Sequence, residues 1–180
     1  MAANAVRLLS GFSSDNAFLL TVEPGVPQSG HFISFLRTSL LELGMSLASP
    51  CPHTLPCPLT KKRWCHFAFE APDAPEELLR LSAAAGLPKE RLVFSFLLAR
   101  AGEKTSPAKT KEEKTRVISD AFPLPDNLYG RYGCCAHGLI LLTGERSRME
   151  RTASLSLVTP VFAADRQRDK KSGALIAEVL

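Results

Sequence analysis

The sequence predicts a mixed α/β protein of the α+β kind, because three segments of different character follow one another. A strand-turn-helix pattern comes first, a cysteine-rich loop second, and a series of short alternating apolar runs third. These divide the chain into an α/β segment over 1–48, a cysteine-rich segment over 49–90 and a β-rich C-terminal region over 91–180. With 180 residues, 45% of them apolar, the chain is long enough to bury a core.

In chain order, Ala3 to Leu9 reads as a short amphipathic helix and Ala17 to Val22 as a strand. Glu23-Pro24-Gly25 turns the chain into an amphipathic helix from about Ser29 to Leu43, ended by Gly44. WCHFAFEA, from Trp64, is strand-like, and a helix near Pro75 to Ala85 is stopped by Gly86 and Pro88. The runs RLVFSFLLA, RVISDAF, HGLILLTG, ASLSLVTPVF and GALIAEVL read as strands separated by polar turns. Residues 101 to 115 are charged and poor in apolar side chains, which predicts an exposed loop. No apolar run reaches the roughly 18 residues of a membrane span, so no membrane partner is expected.

The segment that carries chemistry is CPHTLPCPLTKKRWCHF, Cys51 to Phe67, with its cysteines spaced C-x5-C-x7-C and two Cys-Pro steps. Thiols this dense, beside prolines that stiffen the backbone, describe a ligand loop better than a packed helix or strand. Cys134 and Cys135 lie far along the chain and complete a four-thiolate set. A structural zinc site usually brings a close pair of ligands, two to four residues apart, and none exists here. Gaps of five and seven residues suit a larger object held by thiolates alone, such as an iron-sulfur cluster. From spacing, a cluster, a zinc ion and inert or disulfide-bonded thiols all stay open. An odd cysteine count, five, without a secretory signal favours a reducing compartment, with the cytoplasm as the default.

Phe18 to Phe67 resembles the C-terminal half of the methyltransferase-like proteins associated with the mitochondrial small ribosomal subunit, and of their bacterial relatives. The motifs that carry the resemblance stand in order: an acidic-Pro-Gly turn after a strand, a helix, Cys-Pro-His, a second Cys-Pro, and Trp-Cys-His-Phe. GLPKERLVFSFLLAR (Gly86 to Arg100), YGCCAHG (Tyr132 to Gly138) and RDKKSGALI (Arg168 to Ile176) look like the bacterial branch. The resemblance implies a 4Fe-4S cluster on Cys51, Cys57, Cys65 and Cys134, with Cys135 as the alternative fourth ligand and zinc as the alternative metal. It implies that the N-terminal segment is the remnant of a Rossmann-type methyltransferase sheet. It also implies association with the small ribosomal subunit and its RNA, in the mitochondrial matrix if the source is eukaryotic.

The family's methyltransferase half meets S-adenosylmethionine through a glycine-rich loop after its first strand. Gly11, Gly25, Gly30 and Gly44 form no such run, so the cofactor is not expected on this chain alone. Methyltransferase activity would then need a separate N-terminal lobe.

The net charge of +4 is modest, but its placement is suggestive. Lys61, Lys62 and Arg63 sit inside the cysteine loop, and Arg168, Lys170 and Lys171 cluster near the end, as phosphate contacts require. The bland alternative is solvated surface charge. His53 and His66 flank ligand cysteines and are placed to bind zinc, to donate hydrogen bonds to cluster sulfides, or simply to pack or cap locally. Trp64 is expected to shield the cofactor from solvent, with stacking on a base as the alternative. No nucleophile constellation with a base partner can be argued from the sequence.

Overall fold

The computed structural model describes residues 14, 16–59, 63–70, 74–86, 91–101 and 113–179. The expected helix at Ala3 to Leu9 and most of the charged loop, 102–112, lie outside the described residues. What folds is a mixed α+β protein with a β-rich C-terminal part, built on two sheets.

The first sheet is organised by one long strand. β1 (Phe18–Pro24) leads into helix α1 (Pro27–Glu42) and then into β2 (Ser46–Ser49); β3 (Phe67–Glu70), helix α2 (Glu76–Ala84) and β4 (Arg91–Arg100) follow. Both β1 and β2 run antiparallel to β4, so β1–α1–β2 is a crossover between two parallel strands with β4 inserted between them. Along one edge β4 pairs with β1 from Phe94 to Arg100. Along the other it pairs with two short strands. β3 takes Arg91 to Phe94 and β2 takes Leu98 to Arg100, and between them the chain leaves the sheet edge as the cysteine loop.

α1 forms where expected because its apolar residues recur at helical spacing, and Pro27 opens it at a position where no backbone N–H is missed. Its C-terminus is closed by Gly44 at φ 79°, with Gly44 N–H donating to the Leu41 carbonyl and Met45 N–H to that of Leu40. This is the double bond of a Schellman motif, which needs a left-handed residue between helix and strand. Ile33, Leu36 and Leu40 pack on Leu97 and Ala99 of β4.

The second sheet holds β5 (Thr115–Val117), β6 (Phe122–Pro123), β7 (Tyr129–Cys135), β8 (Gly138–Gly144), β9 (Leu157–Val158), β10 (Pro160–Val161) and β11 (Leu175–Val179). Helix α3 (Arg146–Arg151) follows β8. β7 and β8 form a hairpin at the centre, and β11 runs parallel to β8 on its far side. Two expected strands are shorter than their apolar runs. RVISDAF pairs only at its two ends, as β5 and β6, and ASLSLVTPVF is split at Thr159 into β9 and β10.

β7 has no counterpart among the expected strands because YGRYGCC lacks an apolar alternation. Its glycines explain the disguise: a Cβ on Gly130 would lie 2.9 Å from Leu124 Cδ1, and one on Gly133 would lie 2.3 Å from Thr115 Cγ2. The central strand is read as a turn because its neighbours occupy the space where side chains would be. Gly133→Ala is therefore expected to destabilise the protein by about 1–3 kcal/mol through overpacking against the buried Thr115, read as a lower midpoint in denaturant unfolding.

Candidate metal centre

The loop between β2 and β3 begins and ends at the same sheet edge, which fixes both its mouths. Cys51 stands two residues beyond β2 and Cys65 two residues before β3; Ser95 of β4, facing the gap, donates its hydroxyl to the Cys65 carbonyl at 2.6 Å. Cys134 arrives from β7 of the other sheet. Cys51, Cys57, Cys65 and Cys134 all line one cavity of about 30 Å³, together with apolar groups such as Leu59, Phe96 and Leu97 and the polar side chains of Arg37 and His53. Leu59, Phe67, Ile118 and Cys134 form the buried cluster that joins the two sheets, and Cys57 and Cys65 pack against it.

Adjacent strand residues point to opposite faces. Cys134 consequently faces the cysteine loop, whereas Cys135 is buried on the other face among Val117, Ile140, Leu142 and Leu175, in a separate core. His137 N–H donates to the Cys135 sulfur at 3.3 Å within the hairpin turn.

Two arginines are turned toward the thiols. Arg37 of α1 is only 3% exposed; its Nε donates to Cys51 Sγ at 3.2 Å and its Nη2 to the carbonyls of His53 and Leu55, both at 2.8 Å. Arg116 of β5 stands in register with Cys134 and donates to the carbonyls of Pro50 at 2.7 Å and Leu155 at 2.6 Å. Neither takes part in an ion pair with a carboxylate among the described residues. A buried cation ordinarily has an anionic partner, and the side chain that buried Arg37 meets is the Cys51 sulfur.

Burial pushes the Cys51, Cys65 and Cys134 thiols up from their ordinary range; the cation of Arg37 partly offsets this at Cys51 and Cys134, and that of Arg116 at Cys51 and Cys65. Deprotonating such thiols requires a positive charge in the cavity, which a metal supplies by displacing the protons. His53 bridges the loop to β7, its Nε2 lying 3.4 Å from Cys134 Sγ, while its Nδ1 is buried without a partner. Burial, reinforced by Arg37, holds His53 down to about 4, so it is neutral at physiological pH.

Among the described residues, no three His, Cys, Asp or Glu side chains are drawn together to hold a metal ion as they stand. The donor set nevertheless fits a thiolate-bound metal group in three respects. Four soft sulfurs share one cavity, its walls are largely apolar, and two arginines supply positive charge opposite the negative charge that four thiolates carry.

Of the other residues singled out in the sequence, Trp64 lines this cavity and the rest lie away from it or outside the described residues. The Trp64 indole N–H donates to the Gly25 carbonyl at 3.0 Å, and Gly30 of α1 lets the ring approach, since a Cβ there would lie 2.7 Å from Trp64 Cβ. His66 stacks on Trp64 at 5.2 Å and does not line the cavity. Arg63 donates to the Ser172 carbonyl at 2.7 Å, so the loop cation is joined to the turn that carries Lys170 and Lys171. Arg168 donates to the Gly173 carbonyl at 2.8 Å. Lys61 and Lys62 lie outside the described residues.

Arg37 and Arg116 were not singled out in the sequence. For Arg37 the signal is present: a cation on the apolar stripe of an amphipathic helix, four residues from Ile33 and three from Leu40. Arg116 carries none, because only pairing of β5 with β7 sets it opposite a cysteine.

A family model described as the mitochondrial small ribosomal subunit Rsm22 matches residues 6–123. No curated protein matches the chain.

Arg37→Met keeps the apolar stem and removes the donors to one sulfur and two carbonyls. The expected cost is about 2–4 kcal/mol of stability, with faster labelling of Cys51 by a thiol reagent in the metal-free protein. Arg37→Lys is not expected to restore either property, since an ammonium cannot span the three acceptors as a guanidinium fork does.

Proposed function

The chain belongs to the Rsm22 family of the mitochondrial small ribosomal subunit, and we propose that it holds a 4Fe-4S cluster on Cys51, Cys57, Cys65 and Cys134 and serves small-subunit assembly or translation by contacting ribosomal RNA. The observation that carries this reading is the convergence of four thiols, from a loop and a distant strand, on one cavity beside two arginines that have no carboxylate partner among the described residues. A cluster bound there would tie three points of the loop to one point, Cys134, on the second sheet. Its role is structural, since four protein ligands leave no open iron for a substrate. All five cysteines are free thiols, which agrees with a reducing compartment: the mitochondrial matrix in a eukaryote or the cytoplasm in a bacterium. No helix among the described residues is long and apolar enough to cross a membrane.

Zinc is the rival occupant, because the same donor set suits it. One further observation favours a second functional reading, in which a separate methyltransferase lobe completes an S-adenosylmethionine enzyme. β1 is an edge strand with Phe18, Leu20 and Val22 exposed at 62%, 60% and 57%, an apolar row of the kind that a neighbouring domain covers.

Protein purified without oxygen is expected to be brown, to absorb broadly around 400 nm and to carry about four irons per chain. Serine at Cys51, Cys57, Cys65 or Cys134 should bleach it, and serine at Cys135 should not. Colourless protein with one equivalent of zinc would replace the cluster by zinc. Loss of colour on changing Cys135 alone would overturn the ligand assignment.

For the RNA reading, affinity for small-subunit RNA should fall steeply with salt. Alanine at Arg63, Arg168, Lys170 and Lys171 together should flatten that dependence, since each phosphate contact adds roughly one unit to the slope. Binding that ignores both salt and the four substitutions would remove RNA from the proposal.

A further inference from the structure

Beside the thiol cavity, on the same face of the second sheet that carries Cys134, runs a separate groove of about 800 Å³. Its size falls within the roughly 300–1,000 Å³ of sites that take small organic groups. One wall is the end of the cysteine loop, where the Trp64 and His66 rings stack at 5.2 Å and 27°. Phe122 and Tyr132, 5.1 Å apart, line the groove as well, and Leu139 and Leu141 of β8 give it an apolar floor. Arg63 and Lys171 stand at the rim, brought together from distant parts of the chain by the hydrogen bond from Arg63 to the Ser172 carbonyl. Asp169, the acidic residue in the lining, has its carboxylate engaged by the Ser172 backbone N–H at 2.7 Å and hydroxyl at 2.5 Å.

We propose that this groove binds unpaired nucleotides of RNA, a base stacking on its aromatic lining and the phosphates on Arg63 and Lys171. The proposal rests on the RNA-contacting reading above and narrows it to single-stranded RNA. The chemistry follows from the groove's shape and lining. The rings in its lining offer stacking to any base, whereas a base inside a duplex is already stacked on its neighbours. Two rim cations suit a phosphodiester backbone running past the mouth. An apolar peptide would gain from the floor but has no use for the cations. Because Arg63 and Trp64 immediately precede Cys65, one wall of the groove is set by the loop that holds three of the cavity thiols.

The test uses the full chain purified without oxygen and a fluorescent single-stranded RNA of about eight nucleotides, compared by anisotropy with the same strand closed into a duplex. The single strand is expected to bind tightly and the duplex at least about tenfold more weakly. Phe122→Leu, which keeps apolar volume but removes the ring, should weaken single-strand binding by about fivefold or more. Arg63→Ala with Lys171→Ala should lower the salt slope by about two. Photocrosslinking from a thiouridine in the same oligonucleotide reads the contact in the unaltered protein and is expected within 63–66 or 118–132. Equal affinity for strand and duplex, an unchanged Phe122→Leu affinity, or a crosslink elsewhere would overturn the groove assignment while leaving RNA contact standing. Failure to bind RNA in either form would overturn both.

Discussion

β4 is ten residues long and is paired along one edge by a single strand and along the other by two short ones with a gap between them. Everything around the candidate metal centre depends on that gap. Because β2 and β3 are both hydrogen-bonded to β4, the loop joining them cannot drift, and its two ends stay a few ångströms from the same stretch of strand. A loop of this length in isolation would cost of order 1–2 kcal/mol per residue to order. Here its mouths are held by sheet pairing, its interior by the guanidinium of Arg37, and its far end by Trp64 lodged against Gly30.

The loop's polar backbone is satisfied by arginines instead of by secondary structure. Arg37 takes the carbonyls of His53 and Leu55, and Arg116 takes that of Pro50. This has an electrostatic consequence. Two cations stand beside a cavity lined by thiols, and among the described residues neither has a carboxylate partner. Thiolates can supply negative charge there only when something replaces their protons. The arrangement shapes the loop, and its charge suits the anionic group proposed for the cavity.

The same packing joins the two sheets. Phe67 and Phe96 of the first sheet meet Ile118 and Tyr132 of the second across a shared core into which Cys57, Cys65 and Cys134 also project. The cavity and the aromatic groove lie on either side of Trp64, which lines both. A residue expected from sequence to shield a cofactor thus also forms a wall of the surface proposed to receive RNA. Membership of the Rsm22 family supplies the ribosomal setting, while the thiol site and the groove are features of these residues.

By itself the sequence determined what local patterns can encode. The amphipathic stripe of α1 with its glycine stop, the dense cysteines of the loop, the β-rich tail and the motifs that place the chain in its family are all readable from neighbouring residues. Tertiary structure alone decided what depends on which strands meet. That Cys134 and not Cys135 faces the cysteine loop follows from the two-residue period of β7, a strand hidden in the sequence because its glycines make room for Thr115 and Leu124. Arg116 gained its place opposite the thiols from strand register, and Arg63 met the 169–172 turn only when the cysteine loop folded across the second sheet. Side chains more than about a dozen residues apart are brought together by sheet pairing and packing, and no local pattern records that choice.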